Sequence, residues 1–160
     1  MKSFHTGVLK LLREENASID EQMIPISGHV AVRQYVPRKP DPTGLKNYVL
    51  ASKDGLILDF EIYQGKTTNF SEDVEMGTLG AGGKAVLRFC ETCPVGTNLY
   101  FDRYFTGVTL LERLMEKGIS GTGTIMNNRF PNVGFSNGYK LKKKEEEHWN
   151  QESEKIKKLY

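Results

Sequence analysis

The chain has 160 residues, a hydrophobic fraction of 38%, a charged fraction of 26% and a formal net charge of +2, which describes one globular domain of ordinary size. The small net charge excludes a uniformly basic surface, so any nucleic-acid-binding surface must come from local clusters of Lys and Arg. No apolar run approaches the roughly 18 residues of a membrane span, and we expect no membrane partner.

The first half of the chain has the pattern of a short helix followed by three strands. Residues 5–14 are amphipathic, which indicates a short helix, and residues 17–26 alternate in part, which predicts a strand carrying Asp20. Residues 33–40 are basic and bounded by prolines, which predicts a loop with at most a short strand. Two alternating apolar runs within residues 45–63 flank an Asp-Gly step, which is typical of a β-hairpin.

The second half of the chain alternates strands with helices. The predicted elements are helices over residues 79–93 and 104–117 and strands over residues 98–101 and 119–126. Residues 140–160 are rich in Lys and Glu at helical spacing, which indicates a solvated helix or a frayed tail.

The connections between these elements predict the direction of the strands. Short loops join the first three strands, so we expect them to be antiparallel, whereas helices join the later strands, which we expect to be parallel. The predicted fold class is therefore α/β, with a mixed sheet and flanking helices.

Two local motifs carry little functional signal. Gly80 to Ala85 fit a Gly-x-Gly-x-x-Ala pattern, but an acidic, polar segment precedes them where a dinucleotide site needs a strand. We interpret them as a glycine-rich helix start. Cys90 and Cys93 form a lone Cys-x-x-Cys pair near a helix end, without the second pair that a structural zinc ion needs, so ordinary thiols are the favoured interpretation.

Asp20 and Asp102 are the candidate metal ligands. Asp20 lies on a predicted strand and Asp102 ends another, and a mixed sheet could place the two strands side by side. Two facing carboxylates repel unless a cation lies between them, and oxygen ligands favour magnesium or manganese. The alternative for Asp102 is that it only caps the helix after it, since Asp is a favoured N-cap residue.

A basic cluster lies in and after the proline-bounded loop. It comprises Arg33, Arg38, Lys39 and Lys46. We predict that these side chains form the main phosphate-contacting surface, with affinity that falls steeply with salt and depends little on sequence. The alternative is that they are ordinary solvated charges.

An ordered set of segments carries a family resemblance that is more specific than any single motif. The segments are residues 18–23, 33–40, 44–46, 59–66, 79–87, 101–106, 110–111, 117–119, 121–125 and 128–131. Together they span roughly residues 5–133 and resemble the catalytic domain of piggyBac-type transposases and the piggyBac transposable element-derived proteins. That resemblance implies a ribonuclease H-like sheet.

The resemblance also implies an activity and its site. The family's first two catalytic aspartates would fall on Asp20 and Asp102, which would hold Mg²⁺ or Mn²⁺ for DNA nicking and strand joining by three aspartates. The implied partner is DNA, as transposon ends or non-specifically, with a possible homodimer or completing polypeptide. The implied location is the nucleus.

The chain departs from the family pattern at the third aspartate, which in the family follows an insertion after the last matching strand. We therefore expect residues 1–133 to form a partial ribonuclease H-like core, truncated before the third catalytic aspartate. Residues 134–160 are expected to be a charged segment, helical or disordered. The leading interpretation is a transposase-derived strand-transfer or nuclease core that binds its ion weakly and is inactive alone. The alternative is a domesticated DNA- or protein-binding module without catalysis, so enzyme status stays open.

Overall fold

The computed structural model describes residues 7, 11–37, 39–65, 68, 70 and 79–129, all within a unit that spans Met1–Phe130. The helix predicted for residues 5–14 lies largely outside the described residues, and its described end, residues 11–14, is irregular. The predicted charged segment 134–160 also lies outside them, and the domain boundary at 133 stays a prediction.

The described residues form a mixed α/β structure. Its strands are β1 (Asn16–Pro25), β2 (Gln34–Tyr35), β3 (Thr43–Ser52), β4 (Ile57–Ile62), β5 (Asn98–Phe101) and β6 (Ser120–Gly123). Its helices are α1 (Ala81–Cys90) and α2 (Val108–Glu116), and a 3₁₀ turn follows at Asn127–Arg129. Within the described part of the chain, no helix is long and apolar enough to cross a membrane.

The six strands form one sheet in the order β2-β3-β1-β5-β6, with β4 also paired to β3. β1 pairs with β3 antiparallel, and β3 pairs with β2 and β4 antiparallel. β5 is parallel to both β1 and β6. The predicted strand directions are therefore confirmed, because short loops connect the antiparallel strands and helices cross over between the parallel ones.

The hairpin between β3 and β4 forms as the sequence predicts. Gly55 has φ +81°, a left-handed conformation that glycine adopts without steric cost. The Ser52 hydroxyl oxygen accepts a hydrogen bond from the Leu56 N–H at 3.1 Å, and the Ser52 N–H donates to the Leu56 carbonyl at 2.9 Å. These bonds fix the register that brings Leu50 opposite Asp59.

One face of the sheet is covered by both helices and forms the core. In the paired parts of β1 and β5, buried side chains alternate with exposed ones, whereas in β3 buried side chains alternate mostly with half-buried ones. The buried residues on the strands include Ala17, Ile19, Tyr48, Leu50, Leu99 and Phe101, and they pack with Val86, Phe89, Leu110 and Leu114 of the helices. The opposite face carries exposed residues such as Ser18, Asp20 and Tyr100.

Three element boundaries differ from the prediction by three or four residues. The helix expected from residue 104 begins at Val108 because residues 102–106 form a turn. The helix expected to reach Cys93 ends at Cys90, after which the Cys93 N–H bonds the Cys90 carbonyl in a separate turn. The last strand ends at Gly123 rather than at residue 126.

Candidate metal and DNA site

The central parallel strands place Asp20 and Asp102 side by side. β1 and β5 run in register up to the pair Ile19–Phe101, and the two aspartates are the next residue on each strand. Backbones of neighbouring strands lie about 5 Å apart. Both aspartates are exposed; Asp20 continues the alternation of Ser18 on β1, whereas Asp102 lies directly after β5, at the start of the turn. The two aspartates are thus neighbours in backbone position on the central pair of strands.

Asp102 does not cap the helix that follows it. The N-cap position of α2 is Gly107, so the helix-capping alternative is wrong. Instead, Asp102 Oδ1 accepts a hydrogen bond from the Tyr104 N–H at 2.8 Å, which is an Asx turn. Asp20 Oδ1 similarly accepts a bond from the Glu21 N–H at 2.8 Å. In each carboxylate, a backbone N–H therefore holds one oxygen, Oδ1, in place.

Lys39 lies close to this pair of aspartates. Its ammonium forms an ion pair with Glu21 Oε1 at 3.1 Å, and Glu21 directly follows Asp20. The hydrogen bond to Glu21 raises the pKa of Lys39, and the negative fields of Asp20 and Asp102 act in the same direction. Among the residues we predicted to contact phosphates, Lys39 is thus the one placed beside the carboxylates.

The other three predicted DNA-binding residues are Arg33, Arg38 and Lys46. Arg33 is exposed, and its guanidinium donates to the Gly28 carbonyl at 3.4 Å. Arg38 lies outside the described residues. Lys46 is only 8% exposed, and its ammonium lies 3.9 Å from the centre of the Tyr104 ring. Lys46 is therefore buried over an aromatic ring, a position that disfavours the phosphate contact predicted for it; that role stays a prediction.

An aromatic cluster joins β3 to the turn that carries Asp102. The Tyr48 and Tyr104 hydroxyls form a hydrogen bond at 2.9 Å, and their rings stack with centroids 6.3 Å apart. Burial and then the bond to Tyr104 raise the pKa of Tyr48 well above its ordinary value. Phe105 packs edge-on against both rings. The cluster ties the Asp102 turn to the middle of the sheet.

Asp59 is buried elsewhere in the sheet and serves a structural purpose. It is 0% exposed and forms an ion pair with Arg88 of α1 at 2.5 Å. Arg88 Nε also lies 3.8 Å from Glu61 Oε2. Because β3 separates β4 from β1, neither carboxylate lies on the strands that carry Asp20 and Asp102.

The glycine-rich helix start and the cysteine pair are structural. The helix begins at Ala81 with Gly80 as its N-cap, as the helix-start interpretation predicted. A Cβ atom on Gly82 would lie 2.9 Å from the Tyr104 ring, so close packing explains that glycine. Both cysteines are free thiols. Burial raises the pKa of Cys90 to about 12 and also raises the pKa of Cys93, which keeps both protonated at neutral pH.

The aspartate pair fits a divalent ion only in part. It offers the hard oxygen ligands that Mg²⁺ and Mn²⁺ prefer, and hydrogen bonds among the described residues engage only Oδ1 of each. However, no three His, Cys, Asp or Glu side chains are grouped to hold a metal ion within residues 11–37, 39–65 and 79–129. The described residues thus offer two candidate ligands.

Sequence reasoning assigned no role to several residues at this site. They are Glu21, Tyr48, Tyr104 and Arg129. Three of them lie within the segments that carry the resemblance, at 18–23, 101–106 and 128–131. Their position in those segments was the available signal, but only the tertiary structure shows what they contact.

A central parallel pair of strands that carries Asp20 within β1 and Asp102 just after β5, flanked by an antiparallel hairpin and packed against helices, defines a ribonuclease H-like domain. Comparison with solved structures supports this fold. The chain superposes on the piggyBac transposase in a cryo-EM structure of its synaptic complex with hairpin DNA, with a TM-score of 0.65, 22% sequence identity and coverage of 79% of this chain and 27% of that one.

Sequence comparison identifies the family. The Transposase IS4 family profile matches residues 8–158. Human PiggyBac transposable element-derived protein 3 is 33% identical over 132 residues, 80% of this chain and 22% of that protein. Human PiggyBac transposable element-derived protein 2 is 30% identical over 134 residues, 81% of this chain and 22% of that protein. The chain belongs to the Transposase IS4 family, as a transposase-derived domain of piggyBac type, and spans about a fifth of these relatives.

Proposed function

We propose that this chain is part of a transposase-derived DNA strand-transfer or nuclease core, in which Asp20 and Asp102 hold a divalent ion. The observation that carries the proposal is the position of Asp20, within β1, and Asp102, directly after β5, each one residue beyond the paired residues Ile19 and Phe101 of these adjacent parallel strands. Asp102 also follows the carboxyl end of a central strand, which is where α/β sheets place their chemistry. The family membership supports the same assignment.

The proposed ion is Mg²⁺ or Mn²⁺, and it would supply charge stabilisation for phosphoryl transfer when bound. Asp20 and Asp102 would hold it, with their Oδ1 atoms already oriented by backbone N–H groups. Two carboxylates bind Mg²⁺ weakly. A further ligand would have to come from outside the described residues, among which no third carboxylate joins the pair. We therefore propose that residues 1–160 alone bind the ion weakly and do not cleave DNA.

A direct test measures Mn²⁺ binding by electron paramagnetic resonance in the millimolar range. We expect weak binding that is lost in both Asp20→Asn and Asp102→Asn. The matched control is Asp54→Asn, which removes an exposed carboxylate from the β3–β4 turn and should leave binding unchanged. Binding that survives in both site variants would contradict the proposed metal site.

A nicking assay on supercoiled DNA tests the proposed lack of independent activity. We expect no cleavage by residues 1–160 with either Mg²⁺ or Mn²⁺. Metal-dependent nicking that disappears in Asp102→Ala would overturn this part of the proposal, because it would require a third ligand from within the chain.

The proposed partner is DNA. The piggyBac transposase that shares this fold was solved as a synaptic complex with hairpin DNA, which supports this choice. We propose that Arg33, Arg38 and Lys39 contact phosphates, with Lys39 beside the carboxylate pair, and that the protein acts in the nucleus.

Salt-dependent binding tests this surface. Replacing Arg38 and Lys39 by Ala should weaken DNA binding and reduce its salt slope by about 2, because two phosphate contacts are lost. Lys46→Ala is the control, which should leave the slope unchanged and lower stability instead. An unchanged slope in the double variant would show that the surface lies elsewhere.

A second candidate is a DNA- or protein-binding module without catalysis. The absence of a third carboxylate beside the pair within the described residues favours it. The two candidates separate cleanly in the binding experiments. Salt-dependent DNA binding without any Mn²⁺ binding by Asp20 and Asp102 would support the non-catalytic module.

A further inference from the structure

The chain turns sharply as soon as it leaves β5, and this turn sets the position of Asp102. The Asp102 carbonyl accepts hydrogen bonds from the N–H groups of Phe105 and Thr106, both at 3.2 Å, and from the Thr106 hydroxyl at 2.8 Å. The Asx bond to Tyr104 closes the turn further. The carbonyl groups of Arg103, Tyr104 and Thr106 take no part in these bonds.

A guanidinium from a distant segment binds those three carbonyls. Arg129 Nη1 lies 3.1 Å from the Arg103 oxygen and 2.9 Å from the oxygens of Tyr104 and Thr106. Arg129 itself belongs to the 3₁₀ turn after β6, where its N–H donates to the Met126 carbonyl at 2.9 Å. Hydrogen bonds from a charged donor are stronger than neutral ones and fix geometry well.

The turn is therefore held from two sides. Arg129 binds its backbone, while Tyr104 anchors it through the hydroxyl bond to Tyr48 at 2.9 Å. The Asp102 side chain itself is exposed, so no packing around the carboxylate orients it. Its position depends on the conformation of the turn.

We propose that Arg129 is a positioning residue for Asp102: by binding three carbonyls of the turn, it holds the Asp102 carboxylate beside Asp20 for ion binding. The inference rests on the proposed function, since it assigns Arg129 a role in that same site. Arg129 touches neither carboxylate in any hydrogen bond among the described residues. Its effect reaches Asp102 only through the backbone.

Because Arg129 is positively charged, its removal separates an electrostatic effect on ion affinity from a positioning effect. Removing a positive charge near an ion site should strengthen cation binding by Coulomb's law. Loss of a positioning contact should weaken it, and outer contacts of metal ligands are commonly worth about 10-fold or more in affinity. The two effects have opposite signs.

The experiment is an Mn²⁺ titration of the full chain, followed by electron paramagnetic resonance, with Arg129→Ala compared to Arg103→Ala. Arg103 is an exposed arginine of the same turn, so its variant reports the effect of charge alone. We expect Arg129→Ala to weaken Mn²⁺ binding by about 10-fold, and Arg103→Ala to leave it unchanged or tighter. Millimolar methylguanidinium should restore part of the affinity of Arg129→Ala only.

The outcomes distinguish the inference from the proposed function. If wild type and Arg129→Ala bind Mn²⁺ equally while Asp102→Asn abolishes binding, only the role of Arg129 is wrong. If Asp102→Asn binds Mn²⁺ as tightly as wild type, the proposed metal site and this inference are both wrong. Should Arg129→Ala not fold, Arg129→Lys replaces it. If Arg129→Lys binds Mn²⁺ as tightly as wild type, the inference requires that the lysine ammonium reaches the same three carbonyls. In that case the amide chemical shifts of residues 103–106 should be unchanged. Equal affinity with shifted amides contradicts the inference.

Discussion

At the scale of single residues, two neighbouring carboxylates on adjacent strands repel one another. Asp102 is the better one to change, because Asn keeps the Oδ1 acceptor for the Tyr104 N–H. Lys39 offsets little of this repulsion. Its main partner is Glu21, and Asp102 makes the smallest contribution to its raised pKa.

Asp102→Asn is therefore expected to raise the melting temperature by about 1–3 °C in the presence of a chelator. Asp102→Ala should melt below the Asn variant, because it loses the Asx bond as well as the charge. Differential scanning calorimetry at neutral pH measures both. A lower melting temperature for Asn than for wild type would show that repulsion is not the dominant effect.

The stability of the protein should depend strongly on the buried ion pair between Asp59 and Arg88. Asp59 is fully buried and Arg88 nearly so, and removing one partner of a buried pair leaves an uncompensated charge. Asp59→Ala should lower the free energy of unfolding by about 3–5 kcal/mol. Urea denaturation at neutral pH measures this loss.

Glu61→Gln is the matched control, since Glu61 lies 3.8 Å from the same guanidinium but is partly exposed. It should cost less than about 1 kcal/mol. Equal losses in the two variants would mean that the burial of Asp59 does not determine the energetics.

At the scale of elements, the glycines of β6 determine how closely that strand approaches its neighbours. A Cβ on Gly123 would lie 2.6 Å from the Phe101 carbonyl oxygen and would also meet the Thr106 hydroxyl. The first of these is backbone of β5, which cannot move without disturbing the parallel pairing. The second lies in the Asp102 turn.

Gly123→Ala should thus lower stability by about 1–3 kcal/mol and weaken Mn²⁺ binding as well, because it displaces both β5 and the turn. Gly80→Ala is the control, since a Cβ there meets nothing within 4 Å. Urea denaturation and the Mn²⁺ titration check the two effects. A stable Gly123→Ala protein would contradict the close packing of β6 on β5.

At the scale of the whole molecule, stability should fall on the alkaline side. The pKa values of Cys90, Tyr48 and Lys39 are all raised above their ordinary values of 9.0, 10.0 and 10.5. The folded protein therefore keeps these protons at pH values where the unfolded chain loses them. Their contribution is complete below about pH 9 and is lost progressively as the pH rises.

We expect the free energy of unfolding to decrease steadily between about pH 9 and pH 11, as measured by urea denaturation. Tyr48→Phe should be less stable than wild type at neutral pH by about 1 kcal/mol, the net value of a hydrogen bond. This difference should shrink above about pH 10, because Phe has no proton to keep. A difference that stays constant across the alkaline range would contradict the raised pKa of Tyr48.

Local sequence pattern was enough for the strands, their directions and the hairpin. Alternation identified β1, β3 and β4, and the Asp-Gly step located the turn between β3 and β4. These signals depend on neighbouring residues alone. The boundary at α2 was misjudged for the opposite reason. Tyr104 and Phe105 have helical spacing, but they pack in the aromatic cluster with Tyr48, and the turn made by Asp102 delays the helix to Val108.

The sequence by itself indicated the mixed α/β fold, the family and the two aspartates that are the candidate metal ligands. Only the tertiary structure decided that Lys46 is buried against Tyr104, that Lys39 pairs with Glu21, and that Arg129 binds the turn of Asp102. The physical reason is the range of the interactions. Hydrophobic period and turn chemistry act over a few residues, whereas these contacts join segments that are 18 to 58 residues apart and form only once the sheet has brought β1, β3 and β5 together.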